Sequence, residues 1–310
     1  MSKHIVLLVF FFLSLIATTQ EVSHAIVLET QTGNIHGTLL TPKIQGKVPL
    51  VIIIAGSGAT DRNGNNPMMK NNSLRMLAEG LHRNNIASLR YDKRGIAESK
   101  NAGISEEDLK IENYIADVNS WIGLLIRDKR FSEIIILGHS EGSLIGMVAA
   151  RSNDISKFIS IAGAGESAGN IIRRQLKDQP QIILDQSLPI IKKLENGETE
   201  DNVPQMLYSL FRPSVQPYMI SWFKYDPKTE VKKLDKPVLI IQGDTDIQVS
   251  MKDADLLAMS NPNSTKIIIE GMNHIMKESE VDRIKNLQTY SLPNLPIMEE
   301  LIKKLSEFIF

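Results

Sequence analysis

The chain has 310 residues, 42% of them hydrophobic, with 35 basic against 36 acidic side chains and a formal net charge of -1. That balance gives no electrostatic case for a nucleic-acid partner or an anionic membrane surface. Cysteine is absent, which excludes disulfides, zinc–thiolate sites and a cysteine nucleophile.

At the N-terminus, Lys3 and His4 precede a largely apolar run over residues 5–17. A spanning helix needs about 20 such residues, so the run reads as the core of an export signal over residues 1–20. Cleavage is expected between 17 and 25. A cut after Ala25 would trim the first strand, which favours a site near 17–20. An exported protein, periplasmic or secreted, is expected, with residues 21–310 as its mature domain and no stable membrane insertion after cleavage.

Residues 26–30 and 33–39 read as two strands joined by a polar turn. The run 50–55 is apolar throughout, as expected of a strand covered on both faces. A Gly- and Asn-rich loop, 56–66, follows. Leu74, Leu77 and Leu81 stand at helical spacing within 73–83, residues 87–91 form the next strand, and a helix is expected around 114–127. Strands at 134–137, 158–163, 238–243 and 265–270 complete a strand–helix alternation that argues for a parallel α/β sheet. The alternation stops over about 165–235, a helix-like insertion broken at Pro180, Pro189, Pro204, Pro213 and Pro217. It reads as a helical cap lying over one sheet edge, with Trp222, Phe223 and Tyr225 near its end packing the cap or, as the alternative, walling an acyl pocket. An amphipathic helix, 298–310, closes the chain.

The apolar run 134–137 leads into Gly138-His139-Ser140-Glu141-Gly142, and a helical segment follows. Strand, G-x-S-x-G, helix is the context of a nucleophile elbow. A serine hydroxyl needs a base within hydrogen-bond reach and a group to orient that base. Six histidines are available. His4 and His24 lie in or near the export segment, His36 in the opening strand pair, and His82 in a helix. His139 adjoins Ser140, but along a strand–turn its ring should point away from the hydroxyl, so it reads as a packing or hydrogen-bonding residue. His274 remains, in the loop after the last strand, where loops from the C-terminal sheet edge converge. Asp244 and Asp246 compete for the orienting acid. Asp244 could brace its own turn, whereas Asp246 lies deeper in the loop with Val249 to anchor its far side. Asp246 is the choice, its task being to fix the imidazole tautomer and stabilise the imidazolium.

The elbow, the acid turn and the histidine loop, in this order, resemble the α/β-hydrolase superfamily over nearly the whole mature chain. Residues 90–99 are similar to its R-x-D-x-R-G-x-G-x-S turn, except that Ala97 replaces the usual glycine. Residues 243–249 are similar to its G-x-x-D-x-x-V acid turn, which favours Asp246. Residues 55–64 resemble the A-G-S-G-x-x-D-R-x-G loop of a bacterial esterase-like subgroup, departing from the common H-G start. The resemblance implies a mostly parallel central sheet with helices on both faces and a cap. It also implies a serine hydrolase with the triad Ser140, Asp246 and His274. The oxyanion donors would be the backbone N–H groups of Glu141 and of Ser57, with Gly58 as the alternative to Ser57. A small or medium carboxylic ester is the expected substrate, and no cofactor or metal is implied. A peptidase or amidase of the same fold is the alternative enzyme, and a catalytically silent ligand-binding protein the alternative of another class. Asp61 and Arg62 read as an ion pair fixing their loop, and Asp92 and Arg94 as residues tying a turn.

Overall fold

The computed structural model describes residues 22–310 except residue 178. The export signal expected over 1–20 lies outside the described residues. β1 (Val22–Thr30) and β2 (Gly33–Thr41) form an antiparallel hairpin that pairs Val22 with Thr41 and Thr30 with Gly33. β3 (Val48–Ile54), β4 (Ala87–Tyr91), β5 (Phe131–His139), β6 (Lys157–Ile161), β7 (Val238–Gly243) and β8 (Thr265–Ile269) follow. Their order in the sheet is β1-β2-β4-β3-β5-β6-β7-β8. β2 runs antiparallel to β4, and from β4 to β8 every pairing is parallel.

Alternation along β3 builds the two helix–sheet layers, because successive side chains leave opposite faces of a strand. Leu50, Ile52 and Ile54 enter one core cluster with Trp121 of α2 (Ile111–Leu125) and Ile145 of α3 (Glu141–Ala149). Val51, Ile53 and Ala55 enter the other, with Leu77 of α1 (Ser73–Arg83) and Leu301 of α11 (Glu299–Ile309). Each such aliphatic side chain contributes about 1.5–3 kcal/mol when fully buried. A truncation such as Ile52→Ala would cost about 2–5 kcal/mol through the cavity it leaves.

Between β6 and β7 lie α4 (Ala168–Leu176), α5 (Gln181–Glu195), α6 (Tyr208–Phe211), α7 (Gln216–Phe223) and α8 (Pro227–Lys232). Ile172, Leu176, Ile191, Leu194, Phe211 and Met219 give the first four a core of their own. Val231 and Leu234, at the end of the insertion, pack instead into the main core with Ala254 and Leu257 of α9 (Met251–Ser260). Pro213 and Pro217 stand in first turns, where the missing N–H costs nothing. Pro189 differs from expectation, since it lies inside α5 and does not break it. The buried side chains of Ile190, Ile191 and Leu194 hold that helix across it. α4 and α7 border a cavity with Ser140, so they stand over the C-terminal end of central strand β5 and not over a sheet edge. α10 (Arg283–Thr289) lies between β8 and α11.

Candidate active site

Ser140 sits between β5 and α3 with φ 55° and ψ -123°, a backbone conformation that costs a non-glycine residue on the order of 1–3 kcal/mol. The turn is held from both sides. Ser140 N–H donates to Ile161 O at 3.0 Å, and Ser143 N–H to Ser140 O at 2.9 Å. A Cβ on Gly138 would lie 2.2 Å from Gly142 O, and one on Gly142 2.3 Å from Ile54 O. The flanking glycines therefore let helix α3 close down on the strands.

His274 and Asp246 arrive from two loops at the same sheet end. Asp246 Oδ2 accepts from His274 Nδ1 at 2.8 Å and from Gln242 Nε2 at 3.0 Å. Its Oδ1 accepts from the backbone N–H groups of Gln248 and Val249 at 2.7 and 3.0 Å. Burial pushes this carboxyl up, but the neighbouring His274 and the two backbone donors outweigh it and hold the pKa below the ordinary aspartate value. A carboxylate only accepts, so His274 Nδ1 carries the proton, and on the neutral ring Nε2 is left with a free lone pair. Asp244 does what the bracing alternative describes: its Oδ1 accepts from Gly271 N–H at 2.7 Å, tying the acid turn to the histidine loop. Among the described residues no hydrogen bond joins Ser140 Oγ to His274, although both border one cavity. Such bonds commonly tighten only when substrate is bound.

His139 takes part in this site through its neighbour. Its Nε2–H donates to the backbone carbonyl of His274 at 2.7 Å, and the two rings lie 4.9 Å apart. Burial, with His274 adding to it, pushes the His139 pKa down to about 4. The ring is thus a neutral strut under the histidine loop at neutral pH.

The 56–66 loop passes beside the serine, with a Cβ built on Gly56 only 3.1 Å from Ser140 Cβ. Lys93, buried, donates from Nζ to Gly56 O at 2.6 Å and pairs with Glu141 Oε2 at 3.3 Å. Glu141 Oε1 accepts from the Tyr218 hydroxyl at 2.7 Å. Burial and the Glu141 carboxylate push that phenol well above its ordinary pKa, so it stays protonated and donates. Sequence reasoning missed both Lys93 and Tyr218. Lys93 lay within the 90–99 segment, but nothing in a sequence marks a lysine as buried.

Other residues of these segments are structural. Asp61 does not pair with Arg62; its Oδ1 accepts from the backbone of Asn63 and Asn65 at 2.8 and 2.9 Å. Such a local turn satisfies the short side chain first, and Arg62 reaches instead to Glu98 and, at 3.5 Å, to the buried Asp92. Asp92 accepts from Arg62 N–H at 2.7 Å and Glu98 N–H at 3.2 Å. Arg94 binds Asp117 through two nitrogens.

Two cavities meet at Ser57, Ser140 and Gln248. One, of about 160 Å³, is walled by Leu144, Ile171, Ile172, Trp222, Pro227 and Val249. Trp222 therefore lines it and does not serve only to pack the cap. The other, of about 200 Å³, has His139, His274 and Tyr290 on its wall. No cluster of His, Asp or Glu able to hold a metal ion occurs among the described residues. No helix there is long and apolar enough to cross a membrane.

A family model described as Serine aminopeptidase, S33 (Hydrolase_4) matches residues 70–200, a span holding Ser140 but neither Asp246 nor His274. Esterase EstD of Thermotoga maritima is 28% identical over 255 residues, covering 79% of this chain and 58% of that protein. The chain thus spans less than two thirds of that relative's length. The structure of ferulic acid bound to Est1E from Butyrivibrio proteoclasticus is similar at TM-score 0.62 and 19% identity, covering 92% of this chain and 99% of that one. The α/β hydrolase GrgF from Penicillium sp. sh18 gives 0.62 at 17% identity, with 93% and 97% covered. The fold is that of the α/β hydrolases, with the mostly parallel sheet and helical insertion that the resemblance implied.

Proposed function

We propose that this chain, an α/β hydrolase, is a serine carboxylesterase that cleaves small-molecule esters through an acyl-enzyme. The observation that carries the reading is a shared cavity: His274, held at 2.8 Å by Asp246, borders the same space as the strained Ser140. In the reaction Ser140 Oγ attacks the ester carbonyl while His274 Nε2 takes its proton, and Asp246 stabilises the imidazolium. The oxyanion forms between the N–H groups of Ser57 and Glu141, each such donor being worth about 3 kcal/mol. Collapse expels the alcohol oxygen, which receives the proton from His274. Water, deprotonated by His274, then attacks the acyl-enzyme; the acyl carbon–Oγ bond breaks, the carboxylic acid leaves and His274 returns the proton to Ser140 Oγ.

The second reading is a peptidase, since the matching family model is named for an aminopeptidase. Release of an N-terminal amino acid requires a carboxylate for the substrate ammonium. Glu141 and Glu166 both border the apolar cavity, but Lys93 holds the first and Arg174 the second, at 2.9 Å. The paired state of both favours the ester. Export to the periplasm or beyond belongs to the proposal, resting on the apolar run near the N-terminus.

A fluorophosphonate probe tests the reading. Labelling that vanishes in Ser140→Ala is expected, together with turnover of p-nitrophenyl esters in preference to aminoacyl-anilides. Absence of labelling would leave the silent binder, and preference for anilides the peptidase.

A further inference from the structure

We propose that the cavity between the 56–66 loop and α1 is the alcohol-side subsite, and that it takes neutral leaving groups bearing further hydroxyls, a polyol or a sugar. The proposal rests on the ester reading above. A departing alkoxide must be protonated by His274 Nε2, so the alcohol leaves on the side where that ring lies. His274 borders this cavity and not the apolar one. The acyl chain is then left to the wall of Leu144, Ile171, Ile172 and Trp222, and the alcohol to the polar side.

That polar side is built of unspent donors. Asn71 is 3% exposed, and its Oδ1 accepts from Ser73 N–H at 2.9 Å. Its NH2 group has no partner among the described residues, and the side chain borders the cavity. Ser73, equally buried, brings a hydroxyl to the same wall, likewise without a partner among the described residues. Asn66 accepts from the backbone of Met68 and Met69 through Oδ1, which leaves its amide hydrogens for a ligand. An alkyl alcohol would cover these groups without pairing them, which disfavours its ester. A hydroxylated alcohol pairs with them. No Asp, Glu, Lys or Arg lines this cavity, which argues against a charged alcohol such as a phosphorylated or choline-type one.

The test holds the acyl group fixed and varies the alcohol. kcat/KM is measured by pH-stat for ethyl butyrate, glycerol monobutyrate and a monobutyrylated methyl glucoside. The hydroxylated esters are expected to lead by about tenfold or more, the worth of one well-made hydrogen bond. Asn71→Ala removes the amide donor without offering a substrate hydroxyl a charged acceptor in its place, so the hydroxylated-to-ethyl ratio should fall several-fold. Ser73→Ala, which leaves Asn71 intact, should lower the same ratio. Equal turnover of ethyl and hydroxylated esters, or a ratio unmoved in both variants, overturns the subsite while the ester reading stands. No turnover of any ester overturns both.

Discussion

Lys93 Nζ lies 2.6 Å from the carbonyl oxygen of Gly56, and the N–H of that same peptide unit belongs to Ser57. In a trans peptide the two groups point in opposite directions, so a cation that grips the carbonyl also aims the N–H. The same ammonium pairs with the side chain of Glu141, the residue carrying the other proposed oxyanion donor. Tyr218, from the cap, closes the set. For the proposed reaction Lys93 would be a positioning residue. Lys93→Met should lower kcat about 10- to 100-fold with little change in KM, less than outright loss of a donor. It would also strand a buried carboxylate, at about 3–5 kcal/mol. The double variant Lys93→Met/Glu141→Gln should recover stability but not kcat. Wild-type kcat in the double variant would remove the role.

Ala97 has φ 44°, in the left-handed region where a Cβ is costly. The related turns carry glycine there, and the backbone angle supplies the reason. Ala97→Gly should therefore stabilise the protein by about 1 kcal/mol. Urea unfolding of the two proteins checks this, and an unchanged or lowered midpoint would refute it.

His139 makes stability depend on acidity in a defined window. Its folded pKa is depressed to about 4, against about 6.5 in the unfolded chain. Above the unfolded value both states are neutral and the contribution is fully present. As pH falls towards 4 the unfolded chain takes up the proton first, and stability is lost by up to about 3 kcal/mol in total. His139→Gln should flatten that part of the profile, read from unfolding midpoints at pH 7 and pH 4.5. An equally steep loss in the variant would assign the acid sensitivity elsewhere.

The two aspartates of the acid turn should separate cleanly. Asp246→Asn removes the carboxylate against His274 and should cost about 10⁴ in kcat, as loss of such an orienting acid does elsewhere. Asp244→Asn can still accept from Gly271 N–H, so kcat should stay within about tenfold of wild type. Single-turnover assays of both decide the assignment, and a reversed order would move the acid to Asp244.

Strands were the most legible part of the fold. Residues 238–243 and 87–91 read as strands from sequence and are β7 and β4 to the residue, because a short, mostly apolar run bounded by turn residues marks a buried strand even where Ser88, Arg90 and Gln242 are buried within it. Helix ends were harder. α2 starts at Ile111, not near 114, because the Asn113 side chain accepts from Lys110 N–H at 2.8 Å and closes the first turn earlier. Pro189 misled for a related reason: packing of the cap core holds α5 together across a residue that local rules treat as a break.

Sequence by itself determined the α/β architecture and the nomination of Ser140, Asp246 and His274. Apolar periodicity is a local property, and few residue types can activate a hydroxyl. Tertiary structure alone decided that Asp246 faces His274 while Asp244 braces the loop. It alone put Lys93 against Gly56, 37 residues away, and Tyr218 against Glu141, 77 residues away. It also divided the site into an apolar and a polar cavity. Contacts across such separations are set by how the layers close on one another, and a lysine, a tyrosine or a tryptophan reads the same in sequence whether it ends in solvent or in the site.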